Sequence, residues 1–392
     1  MHPKNLFALD LGTTKFCLAA LLWQGDKPKL EVIDIPADGM HRGMVADISR
    51  AERCLGELID KAEKQLNVNI DKVVVGVAGS HLRGYMASHS LPLNRQNCSL
   101  RHVQRMIEEV ETKEENPFRE ILHCVPVGYK IDHREEIDNP LGFTGSQLTG
   151  RFFVIDSDKD YLKDMIRICN ANGLEVTRLY SEPFASASVS VDDEAKQLGI
   201  AIADIGGGTT DGIIFQNGKP VNAFTINIAG SMMTKDIAVG LNLSFAEAEQ
   251  VKHHFGLTYL KHQRDSSTPL DPMAKRVFVI LGSRIHELGA HLANELKDYR
   301  GLLGGGILLT GGGAQVQEID QFMADRFKVK VTTRTPHLTA VQPLEENVNS
   351  RHATALGLLN LELGRYYTQR QNQGSLPRRY IDHFVNWIRE LS

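Results

Sequence analysis

The chain has 392 residues, of which 42% are hydrophobic and 23% are charged, and its formal net charge is −4. A chain of this length and composition is expected to be a soluble globular protein with two or more domains. Its weak negative charge gives no electrostatic reason to expect nucleic acid as a partner. The five cysteines are scattered and form no C-x-x-C pair, which predicts a reduced cytoplasmic protein without disulfides or a zinc site. No stretch approaches the roughly 18–20 apolar residues of a membrane span.

The first predicted element is an apolar strand that runs into the sequence LDLGTTK at 9–15, and a similar sequence, ADIGGGTTDG, occurs at 203–212. Each copy has an aspartate at the strand end, then glycine, then a Thr-Thr pair. Glycine lets the backbone approach a ligand closely, and exposed N–H groups beside threonine hydroxyls form a concave site that suits phosphate. The repetition predicts two facing phosphate loops that clamp a nucleoside triphosphate between related lobes. Their candidate binding residues are Gly12, Thr13, Thr14 and Lys15 in the first loop, and Gly206, Gly207, Gly208, Thr209 and Thr210 in the second.

The two strand-end aspartates, Asp10 and Asp204, are acidic, so we do not expect them to contact phosphate directly. Mg²⁺ keeps several of its waters in proteins and uses only one or two carboxylates. We therefore predict that these two aspartates hold Mg²⁺ through water.

A third glycine turn, LLTGGGAQ at 308–315, follows a predicted strand at 307–310 and precedes a predicted helix at 316–327. In a duplicated fold this turn would close over the nucleoside with Gly311, Gly312, Gly313 and Ala314. One isolated triple-glycine turn is about as often an ordinary tight turn as it is part of a nucleotide site. Three turns in this order, two of them with aspartate and Thr-Thr, favour a nucleotide site.

Apolar residues at helical spacing predict helices over 50–66, 100–115, 161–172, 245–255 and 273–299. These helices interleave with strands, which indicates α/β layering. Residues 83–158 contain no glycine phosphate loop. They read as a strand, the helix at 100–115, a strand at 120–131, a Gly/Pro-rich loop at 138–150 and a strand at 151–156. This segment is either an inserted module or an ordinary part of one α/β domain.

The last predicted element is an amphipathic helix that starts near Pro377, after a polar stretch at 368–375. Its apolar residues fall on one face at helical spacing. Such a helix either docks on the body of the protein or lies on a membrane surface. The preceding linker, the tryptophan and phenylalanine, and the flanking arginines favour the membrane. The predicted membrane contacts are Tyr380, Ile381, Phe384, Trp387, Ile388 and Leu391.

These motifs resemble the FtsA family of bacterial cell-division proteins, within the actin, Hsp70 and sugar-kinase superfamily. Further similar stretches are VVVGVAGSHLRGY at 73–85, EILHCVPVGYKID at 120–132, SEPFASA at 181–187, DIAVGLNLSFAEAEQVKHHFG at 236–256 and ATALGLLNLELG at 353–364. The resemblance implies an α/β, actin-like, duplicated two-lobe ATPase fold with an inserted 1C subdomain and a C-terminal amphipathic helix. It divides the chain into subdomain 1A (1–82 and 159–190), 1C (83–158), 2A (191–234 and 301–363), 2B (235–300), a linker (364–376) and the membrane-targeting helix (377–392).

The resemblance also implies roles for single residues. Glu182 in SEPFASA would orient water near the metal, with Asp10 as the second catalytic candidate. Without the resemblance, Glu182 is a glutamate stabilised at a helix N-terminus. Glu249 and Lys252 would contact ribose and base, whereas their spacing alone also suits a surface ion pair. The family usually has Gly-Gly-Asp where this chain has Ala229, Gly230 and Ser231. Gly230 should still form the turn, but a carboxylate contact is lost, which puts efficient turnover in doubt.

The resemblance implies ATP and Mg²⁺ as cofactors and hydrolysis that is at most slow. It implies a peripheral protein that polymerises at the inner face of the cytoplasmic membrane, at the division septum. There it would tether the FtsZ ring through the FtsZ C-terminal tail and recruit later divisome proteins.

On the predicted helix 273–299, Arg284 and Glu287, with Lys297, would meet the FtsZ tail, although a solvated helix face explains them equally well. The alternatives for the whole protein are a pilus-assembly relative of FtsA and a sugar- or acetate-kinase-type phosphotransferase. A kinase would need a second-substrate pocket, which no motif identifies, and it would leave the amphipathic tail unexplained.

Overall fold

The structure is a computed structural model, and it describes residues 5–24, 27–134, 136–265, 267, 271–341 and 348–371. The strands are β1 (Leu6–Leu11), β2 (Lys15–Gln24), β3 (Lys27–Pro36), β4 (Met40–His41), β5 (Met44–Val45), β6 (Lys72–Val77), β7 (Leu82–Pro92), β8 (Arg119–Ile131), β9 (Gln147–Asp158), β10 (Glu175–Ser181), β11 (Ile200–Ile205), β12 (Thr210–Gln216), β13 (Lys219–Ile226), β14 (Gly306–Thr310) and β15 (Val331–Thr333). The helices are α1 (Ile48–Leu66), α2 (Leu100–Lys113), α3 (Lys159–Ala171), α4 (Glu182–Ser190), α5 (Asp193–Leu198), α6 (Gly230–Leu241), α7 (Phe245–Phe255), α8 (Tyr259–Arg264), α9 (Pro272–Glu295), α10 (Ile319–Phe327) and α11 (Ala353–Gln371). Short 3₁₀ segments lie at Lys297–Tyr299, Gly313–Gln315 and Ser350–His352.

Two five-stranded sheets share one topology. Their strand orders are β3-β2-β1-β6-β10 in lobe one and β13-β12-β11-β14-β15 in lobe two. In each sheet the first three strands in chain order form an antiparallel meander. The other two strands run parallel to the strand that begins the meander, β1 in lobe one and β11 in lobe two. This matching order confirms the duplicated fold that the two similar loop sequences predicted.

Helices α4 and α11 pack between the two sheets, and each crosses to the other lobe. Helix α4 follows the last strand of lobe one but contacts β11 and β12 of lobe two, whereas α11 follows lobe two and contacts β1, β2 and β6 of lobe one. The Tyr180 hydroxyl donates to Glu362 Oε2 over 2.8 Å and joins the end of β10 to α11. The inner faces of both sheets therefore share one apolar core with these helices.

The outer faces of the sheets have separate cores. Helices α1 and α3 cover lobe one, and α6 to α10 cover lobe two. Local signals set the helix ends: Asp47 accepts from Arg50 N at the start of α1, and Asn67 ends that helix in the left-handed conformation, as is common at a C-terminus.

Strands β7, β9 and β8 form a three-stranded sheet, in that order, which packs with α2 around a fourth core. We call residues 79–158 the inserted module, which begins four residues before the predicted 83–158 because the turn from Gly79, whose oxygen accepts from Leu82 N, leads into β7. It contacts lobe one where His123 Nε2 accepts from Ser181 N over 2.9 Å. It contacts lobe two where Lys219 Nζ donates to Asp138 Oδ1 over 2.5 Å. The module thus has its own core and contacts both lobes.

Several predicted boundaries were wrong. The strand expected at 151–156 extends over Gln147–Asp158. The helix expected from 316 begins at Ile319, because Gly313–Gln315 first makes a 3₁₀ turn. The helix expected over 273–299 ends at Glu295, and Lys297 lies in a following 3₁₀ turn. Lys297 therefore does not belong to the helix that carries Arg284 and Glu287.

The C-terminal part is described only to Gln371. Helix α11 continues to that residue, so the first eight positions of the predicted linker 364–376 are helical. The predicted amphipathic helix at 377–392 lies outside the described residues. Within the part of the chain that the structure describes, no helix has the length and apolar character needed to span a membrane.

Candidate functional site

A cleft of about 700 Å³ lies between the two lobes, at the ends of β1 and β11. Phosphate loop one (Asp10–Lys15) and phosphate loop two (Asp204–Asp211) form its centre. The same hydrogen bond closes both turns: Gly12 N donates to Lys15 O, and Gly206 N donates to Thr209 O, each over 3.0 Å. The duplicated sequence therefore folds into a duplicated turn, and the structure brings the two turns together as predicted.

The loops face each other so closely that only glycine fits at positions 207 and 208 of loop two. A Cβ atom on Gly207 would lie 2.4 Å from Thr14 Oγ1, and one on Gly208 would lie 2.3 Å from Thr13 Oγ1. The third glycine turn approaches from lobe two. Gly311 has a φ of +83°, and a Cβ atom there would lie 2.2 Å from Asp204 Oδ1. The three glycine motifs thus surround one space, with their backbones close to any bound ligand.

Four carboxyl groups, which we call the acid floor, line this space: Asp10, Glu182, Asp204 and Asp211. The three aspartates are buried, and Glu182 is half-buried. Burial, reinforced by the charge of Asp10, raises the pKa of Asp204 to about 7. Burial and the charges of Asp10, Asp211 and Asp204 also hold the pKa of Glu182 well above its usual range.

One cation partly balances this charge, because Lys15 Nζ lies 3.5 Å from Asp10 Oδ2. Buried carboxylates disfavour the ionisation of one another. A divalent cation would offset their negative charge, and carboxylate oxygens are ligands that suit it. Among the described residues, no three histidine, cysteine, aspartate or glutamate side chains are grouped closely enough to hold a metal. Direct coordination here would therefore use at most two carboxylates.

Glu182 is the first residue of α4, where Pro183 favours the helix start. Gly76 of β6 makes room for it, since a Cβ atom on Gly76 would lie 2.8 Å from Glu182 Oε1. The strand–helix junction therefore directs Glu182 into the cleft, on the same floor as Asp10.

Asp211 is a member of the acid floor that the sequence analysis did not select, although it directly follows the Thr-Thr pair of loop two. Its Oδ1 accepts from Gly79 N over 3.2 Å and from Thr225 Oγ1 over 2.6 Å. Its Oδ2 accepts from Thr209 Oγ1 over 2.6 Å. Gly79 begins the inserted module, so this carboxylate joins the cleft to that module.

Glu249 and Lys252 of α7 line the other side of the cleft. Lys252 Nζ donates to both Glu249 oxygens, over 2.8 and 2.7 Å, and to Thr234 Oγ1 over 2.9 Å. Burial opposes the charge on Glu249, but hydrogen bonds from His253 and Lys252 lower its pKa to about 2. Because Lys252 is only 5% exposed, this pair belongs to the cleft wall rather than to an open surface.

The run Ala229, Gly230 and Ser231 forms the start of α6 rather than the expected turn at Gly230. Gly230 N donates to Gly206 O over 3.0 Å, and Ser231 N donates to Gly207 O over 2.9 Å. The helix N-terminus is thereby fixed to loop two, and both residues line the cleft.

Two predicted binding residues do not reach the cleft. Thr210 is fully buried, and its hydroxyl donates to Ile228 O over 2.7 Å. Ala314 packs in the outer core of lobe two. In each case the neighbouring residues line the cleft while this side chain turns into the protein.

Other lining residues were not predicted. Thr354 of α11 donates to Asp204 Oδ2 over 3.0 Å from 150 positions away. The exposed ring of Phe245 lies on the cleft wall near Glu249, and Asp34 and Arg351 line the cleft as well. Only proximity in the folded chain identifies Thr354 and Arg351, since neither lies in a glycine motif.

Arg284 and Glu287, the predicted FtsZ contacts, lie on α9 and do not line this cleft. Arg284 donates to the carboxylate of Asp236 over 2.6 and 3.1 Å and to Glu287 over 2.5 Å. Its side chain is only 19% exposed. Arg284 is therefore part of an ion-pair network rather than a free cation on an exposed helix face.

Two protein-family models match two separate ranges of the chain. A family model described as "SHS2 domain inserted in FTSA" matches residues 79–156, and one described as "Cell division protein FtsA" matches residues 201–357. Together these matches cover well over half of the chain, and the first coincides with the inserted module.

Curated relatives match nearly the whole chain. Cell division protein FtsA from Neisseria meningitidis is 27% identical over 376 residues, which is 92% of this chain and 90% of the relative. The Bacillus subtilis protein of the same name is 26% identical over 92% of this chain and 84% of its own length. That of Escherichia coli K12 is 24% identical over 99% and 97%. These matches confirm the similarity that the motifs indicated.

Solved structures share the fold at lower identity. The PilM-PilN type IV pilus biogenesis complex gives a TM-score of 0.65 at 20% identity, covering 91% of this chain and 98% of that one. MreB5 of Spiroplasma citri bound to ADP gives 0.55 at 16% identity, covering 94% and 98%. The same protein bound to AMPPNP gives 0.56, also at 16% identity, covering 95% and 100%. These likenesses confirm the actin-like architecture.

Proposed function

The chain belongs to the FtsA family of cell-division proteins, and from this premise we propose that it binds ATP with Mg²⁺ between its lobes. We further propose that it polymerises on the inner face of the cytoplasmic membrane, at the division septum. There it tethers the FtsZ ring and recruits later division proteins. Hydrolysis is slow and serves a conformational cycle.

The observation that carries the nucleotide proposal is the meeting of three glycine turns above the acid floor. Backbone N–H groups of Thr13, Thr14, Gly207 and Gly208, which line the cleft, would bind the phosphates together with Lys15. Asp10 and Asp204 would hold Mg²⁺ through water, and the ion, when bound, neutralises charge on the phosphates. The raised pKa of Asp204 supports this assignment, because a buried acid without a cation ionises reluctantly.

The wall formed by α7 would hold the nucleoside. Phe245 supplies an exposed aromatic face, and Glu249 supplies carboxylate oxygens that suit ribose hydroxyls. Lys252 is bound to both Glu249 oxygens, so it would fix the orientation of that carboxylate. Neighbours in fold hold ADP and AMPPNP, which supports a nucleotide of this class.

Glu182 would orient the attacking water from the start of α4. Burial and the charges of Asp10, Asp211 and Asp204 raise the pKa of Glu182, so its charged form is disfavoured until a cation enters the acid floor. Ser231 at the start of α6 offers a hydroxyl where the family pattern has a carboxylate. Both features support slow turnover.

Calorimetric titration of ATP, with and without Mg²⁺, tests the proposal. Asp204→Ala should weaken Mg²⁺-dependent binding at least about tenfold, since a hydrogen bond or contact to a charged group contributes about 1.5–3 kcal/mol. Asp60→Ala, on the exposed face of α1, should leave the affinity unchanged. Equal affinities for the two variants would reject the cleft as the nucleotide site, and phosphate transfer to a sugar or acetate would establish the kinase alternative.

The membrane proposal rests on the sequence of the tail. Its arginines should each contribute about 1 kcal/mol near anionic headgroups, and the apolar face adds partial burial of large side chains. Trp387→Glu should release the protein from anionic liposomes in a pelleting assay. Asn386→Glu adds the same charge on the polar face and should have much less effect. If a chain that ends at Gly374 pellets as well as the full chain, the anchor lies elsewhere.

Arg284 and Glu287 remain the predicted contacts of the FtsZ C-terminal tail. Arg284→Glu should weaken binding of a tail peptide in a fluorescence anisotropy titration. Asp236→Ala is the matched variant, because it breaks the Arg284–Asp236 ion pair and leaves Arg284 in place with its contact to Glu287. Direct contact predicts that Asp236→Ala keeps or improves peptide binding, whereas equal losses would mean that the pair only supports the fold.

A further inference from the structure

A charged pair at the mouth of the cleft has no role in the scheme above. The Arg351 guanidinium contacts Asp34 Oδ2 although the residues are 317 positions apart. Both line the cleft. The Asp34 side chain is 26% exposed and that of Arg351 is 44% exposed, against 10% for Asp10 on the floor. The pair therefore lies at the rim, between the floor and solvent.

The two residues belong to opposite sides of the cleft. Asp34 lies in β3 of lobe one. Arg351 lies in the segment that leaves lobe two before α11, and its neighbour Ser350 is fixed to the third glycine turn. Ser350 Oγ donates to Gly311 O over 3.1 Å, and Gly311 N donates to Ser350 O over 3.2 Å. The ion pair thus connects β3 to the glycine turn of the other lobe.

A second bond reinforces this connection. Lys15 Nζ of phosphate loop one donates to the backbone oxygen of Arg351 over 2.6 Å. His352 Nε2 lies 3.6 Å from Asp34 Oδ2 and accepts from Arg351 Nε over 3.1 Å. Burial and the nearby Lys15 and Arg351 charges lower the pKa of His352 to about 4. The ring is therefore neutral near pH 7 and leaves Asp34 paired with Arg351.

We propose that Asp34 and Arg351 form a latch across the mouth of the cleft, which opens each time a nucleotide enters or leaves. The inference rests on the proposed nucleotide binding and extends it to the control of exchange. The pair closes the lobes at the rim without contacting the floor. Loss of the pair should therefore change the rate of nucleotide exchange, while the contacts that bind the nucleotide on the floor stay in place.

Stopped-flow release of a fluorescent ADP analogue, chased with excess ATP in Mg²⁺, tests the latch in the full chain. Asp34→Ala and Arg351→Ala should each speed release about two- to fivefold, the range expected for a partly exposed ion pair. The double variant should be no faster than either single variant, because both remove the same interaction. Arg334→Ala, which breaks the Arg334–Asp192 pair outside the cleft (2.6 Å), should release at the wild-type rate.

Ionic strength gives an independent measure. Added salt should speed release from the wild type toward the rate of the variants, and it should change the variants much less, because they lack the pair. Additive effects of the two single changes would overturn the latch. So would slower release or tighter binding in Asp34→Ala combined with weaker binding in Arg351→Ala, since Arg351 would then be a phosphate ligand. Absence of binding by the wild type would instead reject the nucleotide site itself.

Discussion

The two phosphate loops share one backbone turn but carry opposite charges at different positions. Lys15 closes the turn of loop one, where loop two has Thr209. Asp211 lies opposite Asp204 on the strand after loop two, where loop one has Cys17 opposite Asp10. Lys15 lies 3.5 Å from Asp10 and donates across the cleft to Arg351 O. Asp211 faces the inserted module through Gly79 N. Duplication thus preserved a backbone that suits phosphate, while charged side chains at two different positions gave each loop a different electrostatic role and a different neighbour.

The two strand-end aspartates, Asp10 and Asp204, also differ in how far nearby groups offset the effect of burial on their pKa. Lys15 offsets part of the burial that raises the pKa of Asp10. Asp204 accepts a hydrogen bond from Thr354, but burial and the charge of Asp10 still raise its pKa to about 7. Lobe two therefore carries the less compensated half of the acid floor, and changes in the two loops should have unequal effects.

The largest effect is expected from closing the space between the loops. Gly207→Asp places a Cβ atom against Thr14 and adds a carboxylate to the acid floor. ATP affinity should fall at least about 100-fold, since both the steric block and an unpaired charge oppose binding. The matched change Gly301→Asp lies at an exposed glycine with open space around it, and its φ of +80° should cost some stability but leave ATP binding normal in the same calorimetric titration. Near-normal affinity of Gly207→Asp would show that ligand does not lie between the loops.

Changes at Lys15 and at Asp211 should lower ATP affinity by smaller and unequal amounts. Lys15→Met removes the cation of loop one and should weaken ATP binding about 10- to 100-fold, as expected for a charged hydrogen bond. Asp211→Asn should change affinity only a few-fold, because three protein donors already occupy that carboxylate. Similar losses in both variants would contradict the division of roles between the loops.

A separate effect concerns the free energy of unfolding rather than ATP affinity, and it depends on pH. The Asp204 pKa is about 7 in the folded chain and ordinarily 3.8, so its protonated form favours folding. This contribution is complete below about pH 4 and is lost as pH rises through about 7. In chelator, the free energy of unfolding in urea should fall by up to about 1.4 kcal/mol per pH unit across that window. Asp204→Asn should flatten the curve, and so should Mg²⁺ with ATP. A metal-free wild type that becomes more stable from pH 5 to pH 7 would contradict the raised pKa.

Local motifs predicted much of this arrangement. Helix α7 has the predicted bounds, 245–255, and both phosphate loops lie where glycine and Thr-Thr placed them. The sequence failed where a side chain's direction depends on tertiary packing. Thr210 belongs to the motif, yet its hydroxyl is bound by Ile228 O.

Long-range partners were also invisible in the sequence. Thr354 and Arg351 reach the site through contacts with Asp204 and Asp34, which lie 150 and 317 positions away in the sequence. Arg284 looked available to a partner, but Asp236, 48 positions away, already binds it. Periodicity identifies the helix that carries a residue, whereas folding decides which neighbours that residue meets.

The exchange of α4 and α11 between the lobes has a consequence for synthesis on the ribosome. The inner face of lobe one is covered by α11, at 353–371, and the end of β10 is joined to it through Tyr180 and Glu362. The amino-terminal strands therefore emerge long before the helix that covers them, and long-range contacts of this kind form late. Until then the nascent chain exposes an apolar sheet face, so a chaperone that recognises such surfaces has most of the translation time in which to bind it.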